Sequence, residues 1–281
     1  MLAGLTSPVL AKNGRIFVPV ATSKAPAPAV SAASYIVIDK LSGKVLVENN
    51  ADAVLRLASL TKVMTVNLVL ARKVPLLRLQ PITAADQVGG SRLGVKAGTK
   101  FTVNDLLYAT LLPSANDAAN ALADSTKLSR QKFVAGMNAT AKALGLKQTV
   151  FTEPTGIDDG NVSTAREFAR LAQSVFSQAK FRRYACTAKR TIYARPSWKK
   201  IVLKNSDRLL TAPQYDDVLV AGGKTGYLGA DGGWNLAVEL KSAKGAPREL
   251  TVVLMGEPML ATSEADAHAL ARWAWDVHEW R

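Results

Sequence analysis

The sequence has a single cysteine, Cys186, so no internal disulfide can form within the chain. It has no apolar run approaching the length of a bilayer-crossing helix, and no integral membrane segment is expected among these residues. Its two histidines, His268 and His278, fall in one helical pattern without a convincing ligand set, so neither a metal nor a cofactor is expected. Zinc-finger, leucine-zipper and RNA-binding patterns are missing as well, which argues against nucleic acid as a partner. Residues 1–20 also lack the basic segment followed by an apolar segment that marks a full export signal.

The chain does have a large excess of positive charge, with 36 Lys and Arg against 22 Asp and Glu, a net +14. That charge favours contact with anionic polymers or surfaces without choosing among them, and most of it is accounted for by general solubility. Hydrophobic residues make up 48% of 281 positions, enough to bury a substantial core. Residues 21–34, ATSKAPAPAVSAAS, are small residues and prolines, so residues 1–34 read as a flexible leader and residues 35–281 as the folded domain. A monomer is the expected state.

The pattern runs strands, helices, strands, helix. YIVID (35–39) and VLVE (45–48) flank a Gly-containing turn, and strand character returns in DDVLVAGGKTG, WNLAVEL (234–240) and LTVVLM (250–255). Helical spacing occupies 59–71, 104–112, 117–124, 129–144, 164–178 and 263–280, with Thr164/Glu167 and Ser263/Asp266 as first-turn caps. The economical fold is α/β (α+β): one antiparallel sheet from both chain ends, with a mainly helical region inserted between its two halves. Such a sheet brings position 224 close to position 59. Trp273 and Trp280, seven apart, are expected to share one face of the terminal helix and pack it.

Within LASLTKVMT (57–65), Ser59 and Lys62 are three apart on a helix, with Cβ atoms about 5–6 Å from each other. If the lysine is enclosed beside the serine, desolvation and a second positive charge lower its pKa until it can take the serine proton. Alone, the four-residue pattern is common and more often marks an ordinary surface lysine. Two more segments carry similar chemistry: LLPSANDAAN puts Ser114 and Asn116 on a turn after a proline, and GGKTGYLG puts Lys224 and Thr225 near a strand end, followed by Gly226. Each is compatible with an ordinary loop. In the order S-x-x-K, S-x-N, K-T-G they are specific together.

These three motifs resemble those of the serine penicillin-recognising enzymes, D,D-peptidases and β-lactamases, whose fold is the one expected above. The stretches SGKVLVENNADAVLRLASLTKVMT, LLPSANDAA, FTEPTGIDDGNVSTARE and GGKTG are similar to those of the low-molecular-mass D-alanyl-D-alanine peptidases. Leu57 stands where a proline is common in that family, and Ala115 where glycine is frequent. The resemblance implies Ser59 as nucleophile, Lys62 as base and Ser114 as proton relay, with Asn116, Lys224, Thr225 and Gly226 binding substrate. It also implies backbone N–H groups of Ser59 and Tyr227 as oxyanion donors. Peptidoglycan stem peptides are then the substrate, β-lactams covalent inhibitors, and the periplasm or another extracytoplasmic part of the envelope the location.

The compact form resembles periplasmic endopeptidases, whereas LLPSANDAA looks more like the carboxypeptidases, so both leaving groups stay open. The 55 residues after Gly226 suffice for the rest of the sheet and one helix, and no additional C-terminal β domain is expected. A β-lactamase would need a deacylating base; Glu153 is available, but its FTEPTG setting resembles the peptidase loop. A noncatalytic peptidoglycan-binding module is the other alternative. Asp158 and Asp159 read as solvated turn residues.

Overall fold

The computed structural model describes residues 17–243 and 248–281. The first third of the chain forms β1 (Pro19–Ala21), β2 (Ser34–Asp39), β3 (Val45–Asn49), β4 (Leu55–Arg56) and α1 (Thr61–Ala71). The middle holds β5 (Leu79–Pro81), β6 (Lys100–Thr102), α2 (Val103–Leu111), α3 (Asn116–Ser125), α4 (Arg130–Ala143), β7 (Val162–Ser163), α5 (Ala165–Phe176) and α6 (Ala179–Ala185). The last part holds β8 (Lys189–Tyr193), β9 (Lys200–Lys204), β10 (Val218–Tyr227), β11 (Trp234–Ser242), β12 (Glu249–Glu257), α7 (Leu260–Val277) and β13 (His278–Trp280).

Strands β10, β11, β12, β2 and β3 lie side by side in that order as one five-stranded sheet, with every neighbouring pair antiparallel. This is the expected sheet, closed between the two chain ends by the pairing of β2 with β12. Its inner strands β11, β12 and β2 are buried on both faces. Along β2, Ile36 and Ile38 face the helical core with Val253 and Met255, whereas Val37 faces the other side with Val252, Leu254 and the α7 residues Leu270 and Ala274. Alternate side chains of a strand point to opposite faces, so a continuous apolar run fits a sheet covered on both sides. Each fully buried side chain of this kind contributes about 1.5–3 kcal/mol of transfer free energy. Helix α5 covers one face and α7 the other.

Three expectations need correction. Folded structure begins before Tyr35: β1 pairs with β13, Thr22 donates its N–H to Val277 O at 2.8 Å, and Ser31 Oγ donates to Glu257 at 2.6 Å. The prolines of the expected leader set an extended backbone, and the chain end supplies a partner for it. Residues 1–16 lie outside the described residues. Second, the terminal helix stops at Val277, so Trp280 sits on a strand, where its indole N–H donates to Asp39 at 2.8 Å, and does not share a helical face with Trp273. Third, α7 starts at Leu260, so Ser263 is inside the helix and its hydroxyl bonds back to Leu260 O at 2.7 Å. Thr164 does cap α5, accepting the Glu167 N–H at 3.1 Å. The β8–β9 hairpin and α6 are further elements that the helical and strand patterns did not indicate.

A pair of substitutions tests the cap assignments. Thr164→Ala should cost about 1 kcal/mol in chemical denaturation, the usual loss for an N-cap hydroxyl, and Ser263→Ala, which removes no capping bond, should cost distinctly less.

Candidate active site

Ser59 lies in a single turn of 3-10 helix, Ala58–Leu60, that runs directly into α1. The turn is held from three sides. Leu57 donates its backbone N–H to Asn161 O at 2.8 Å, and the Asn235 side-chain amide donates to Arg56 O at 2.9 Å and Leu57 O at 3.2 Å. A proline at position 57 could not make the first of these bonds. Ala58 carries φ +48°, and Gly156, at φ +85°, passes so near that a Cβ there would sit 1.7 Å from Ala58 O. A left-handed conformation at a non-glycine residue is unfavourable, so the surrounding contacts must impose it.

Lys62, one turn further on, is completely buried. Its Nζ lies 2.6 Å from Asn116 Oδ1 and 2.6 Å from Thr155 O, to both of which it donates, and 2.8 Å from Ser59 Oγ, whose hydroxyl can donate to it when the amine is neutral. Burial, and then the nearby Lys224 charge, push its pKa well below that of an ordinary lysine. The expected Ser59–Lys62 contact is therefore present in a setting that favours the neutral amine.

The second motif approaches from α3. Asn116 is the first residue of that helix; its N–H donates to Ser91 O at 2.7 Å and its side-chain amide to Gly89 O at 2.6 Å, which leaves Oδ1 aimed at Lys62. Asp117 accepts the Leu93 N–H and ties the same loop to α3. Ser114 has φ +63°, and its Oγ is buried without a hydrogen-bond partner among the described residues. Ala115 has an ordinary negative φ of −64°, so this turn does not need glycine there.

The third motif is the end of β10, an outer strand of the five-stranded sheet. A Cβ on Gly226 would lie 3.1 Å from Leu57 O and 3.3 Å from Ser59 N, so the absent side chain lets this strand approach the nucleophile turn. Lys224 and Thr225 are buried, and Tyr227, just past Gly226, is 54% exposed. Lys224 Nζ donates to Thr225 O at 2.7 Å, and the Thr225 hydroxyl is 2.6 Å from that of Ser206. Burial lowers the Lys224 pKa to about 7, against an opposing pull from Asp207. Asp207 is itself buried, and burial followed by the Glu264 charge raises it to about 7.

The model of the D-alanyl-D-alanine carboxypeptidase family matches residues 20–258. The chain belongs to this family. Its relatives include a D-alanyl-D-alanine endopeptidase of Pseudomonas aeruginosa, 32% identical over 247 residues, which cover 87% of this chain and 77% of that protein. The Escherichia coli K12 D-alanyl-D-alanine carboxypeptidase DacC is 35% identical over 240 residues, covering 81% of this chain and 57% of the relative. The chain thus spans little more than half the length of that carboxypeptidase. Among solved structures, the Streptomyces K15 DD-transpeptidase superposes with a TM-score of 0.81 at 26% identity, over 90% of this chain and all of the other.

In this member of the carboxypeptidase family, sequence reasoning missed the groups that hold the motifs in place. Thr155 contributes only a carbonyl, and Ser206 and Asp207 belong to a polar NSD triplet that nothing in the sequence ties to position 225. Glu153 is occupied: its carboxylate accepts the N–H groups of Thr155, Gly156 and Ile157 and the Asn161 amide, which folds the loop that presents Thr155 O to Lys62. Asp158 accepts bonds from Thr152 and Gly160 in the same turn.

Gly156→Ala should slow acylation by penicillin at least about 100-fold, because its Cβ must displace the Ala58 carbonyl and with it Ser59. The rate of covalent labelling, followed by intact mass, checks this.

Proposed function

We propose that the chain is a serine D,D-peptidase that hydrolyses D-alanyl peptide bonds of peptidoglycan stems through a Ser59 acyl-enzyme and is inhibited by β-lactams. The observation that carries this reading is the 2.8 Å bond from the buried Lys62 amine to the Ser59 hydroxyl. Lys62 takes the Ser59 proton as Oγ attacks the carbonyl carbon of the penultimate D-alanine. The developing oxyanion is stabilised by the N–H groups of Ser59 and Tyr227. As the C–N bond breaks, the departing amine receives a proton through Ser114, whose hydroxyl has no competing partner among the described residues. Water then attacks the ester carbonyl, Lys62 again accepts the proton, and Ser59 recovers it when the acid leaves.

Asn116 holds Lys62 and a substrate amide, Lys224 supplies positive potential, and Thr225 binds the terminal carboxylate. The leaving amine is free D-alanine in a carboxypeptidase and a neighbouring stem in an endopeptidase; the relatives' names include both activities. The reaction belongs in the extracytoplasmic envelope, where this polymer lies, and the net +14 suits work beside anionic wall polymers. Among the described residues, no helix is long and apolar enough to cross a membrane. A β-lactamase reading is disfavoured by the four hydrogen bonds that occupy the Glu153 carboxylate.

Ser59→Ala should abolish covalent penicillin labelling and all turnover of a mixed muropeptide digest while the protein stays folded. With wild type, mass spectra will show loss of D-alanine from pentapeptides, conversion of dimers to monomers, or both; labelling of the variant would reject the nucleophile.

The two lysines also set a pH profile. Acylation requires neutral Lys62, so its rate should rise with pH through the depressed Lys62 pKa. Carboxylate binding requires charged Lys224, so affinity should fall as pH passes the Lys224 value of about 7, later once a bound carboxylate favours its charged form. A bell-shaped kcat/KM with its alkaline limb starting near neutrality is the expected result.

A further inference from the structure

The same strand that carries K-T-G fixes the direction of the substrate, on the peptidase reading. Lys224 and Thr225 take the carboxylate of the departing residue, and the scissile carbonyl lies at Ser59 and Tyr227. The acyl part of the stem must therefore continue past Tyr227 towards the turn between β10 and β11. At that end is a cleft of about 430 Å³, lined by Leu55, Arg56, Leu228, Asp231, Gly232 and Asn235 among others.

Arg56 is rigidly placed in its wall. Its backbone pairs with Val162 in the β4–β7 ladder, and its carbonyl accepts the Asn235 amide at 2.9 Å. Asn235 is itself the register partner of Gly226, which links the cleft directly to the nucleophile turn. The guanidinium lies against Gly232, where a Cβ would come 2.5 Å from Nη2. Its only ion pair among the described residues runs from Nη1 to Asp159 at 3.1 Å, and the Asp159 side chain is 71% exposed. Such an exposed pair is weak and readily exchanged, and Nε and Nη2 carry no bond among the described residues. Asp231, adjacent to Gly232, is exposed and makes no ion pair among them. A second carboxylate in the lining, Glu257, is fully buried, accepts the Ser31 hydroxyl and is shifted by burial towards its neutral form. The groups left facing the cleft are thus one part-neutralised guanidinium and the Asp231 carboxylate, a set that balances a ligand carrying one charge of each sign.

We propose that Arg56 and Asp231 form a specificity subsite for the side chain of the stem residue preceding the two D-alanines, selecting one that ends in an amine and a carboxylate on the same carbon. Arg56 receives the carboxylate through Nε and Nη2, and Asp231 the ammonium. This rests on the peptidase reading for the direction of the stem.

The test uses three penicillins with acyl side chains of equal length, ending in an aminocarboxylate, in its amide, or in an amine alone. Second-order acylation of Ser59 is followed by intact mass. Wild type should react about tenfold faster with the aminocarboxylate than with either other probe, about 1.4 kcal/mol of discrimination. Arg56→Ala should collapse that ratio towards one, Arg56→Lys should restore part of it, and Asp159→Asn, which removes the competing carboxylate, should increase it. No preference in wild type, or equal slowing of all three probes by Arg56→Ala, overturns the subsite and leaves Arg56 as a loop support. Stem peptides with the same three termini are digested alongside. If Ser59 is labelled but no peptide is cleaved, the peptidase reading fails, and the penicillin ratios still decide the subsite.

Discussion

A fully buried lysine amine that bonds to three oxygens is the constraint around which this molecule is arranged. An ammonium held away from water is costly, and the cost is reduced when the group gives up its proton. Every element that closes over Lys62 therefore also sets its chemistry: α1 carries it, α3 brings the Asn116 oxygen, and the loop folded by Glu153 brings the Thr155 carbonyl. The third oxygen is the Ser59 hydroxyl, the one partner of the three that is proposed to react. Enclosure and reactivity are two aspects of the same packing.

On the proposed mechanism Lys224 has the opposite requirement, because it binds a carboxylate only while charged. Its burial works against that, and the nearby Asp207 works for it. Burial and the Glu264 charge in turn raise the proton affinity of Asp207, and burial raises that of Glu264, so the region behind K-T-G holds charged groups in close balance. Burial thus lowers both lysines, and their neighbours separate them: the Lys224 charge deepens the fall at Lys62, whereas Asp207 opposes it at Lys224.

The sheet, the long helices and the three reacting motifs were legible because each has a local signature. Alternating or continuous apolar strands, helical spacing and fixed short motifs all survive in one dimension, and the pairing of β2 with β12 follows once both sets of strands are recognised. What escaped is carried by partners far apart in sequence or by the backbone itself. Thr155 acts through a carbonyl that every residue has; Ser206 matters only because its hydroxyl meets Thr225. Residues 17–34 looked like a tether since nothing local shows that Trp280 would leave the helix and that β13 would be waiting for β1. Ser263 misled because α7 begins three residues earlier, at Leu260, where the sequence offers no conventional capping residue.

The closure of the sheet by its two ends also has a meaning in time. Ser59 and Lys62 are made early, but Lys224, on the strand that completes their cleft, comes 162 residues after Lys62, and that strand is held in place through β11 and β12 by β2. A nascent chain therefore carries Ser59 and Lys62 for most of synthesis without the strand that completes the cleft around them. The cleft is complete only once the last strands have been made, so its geometry depends on the end of the sequence as much as on the segment that holds Ser59.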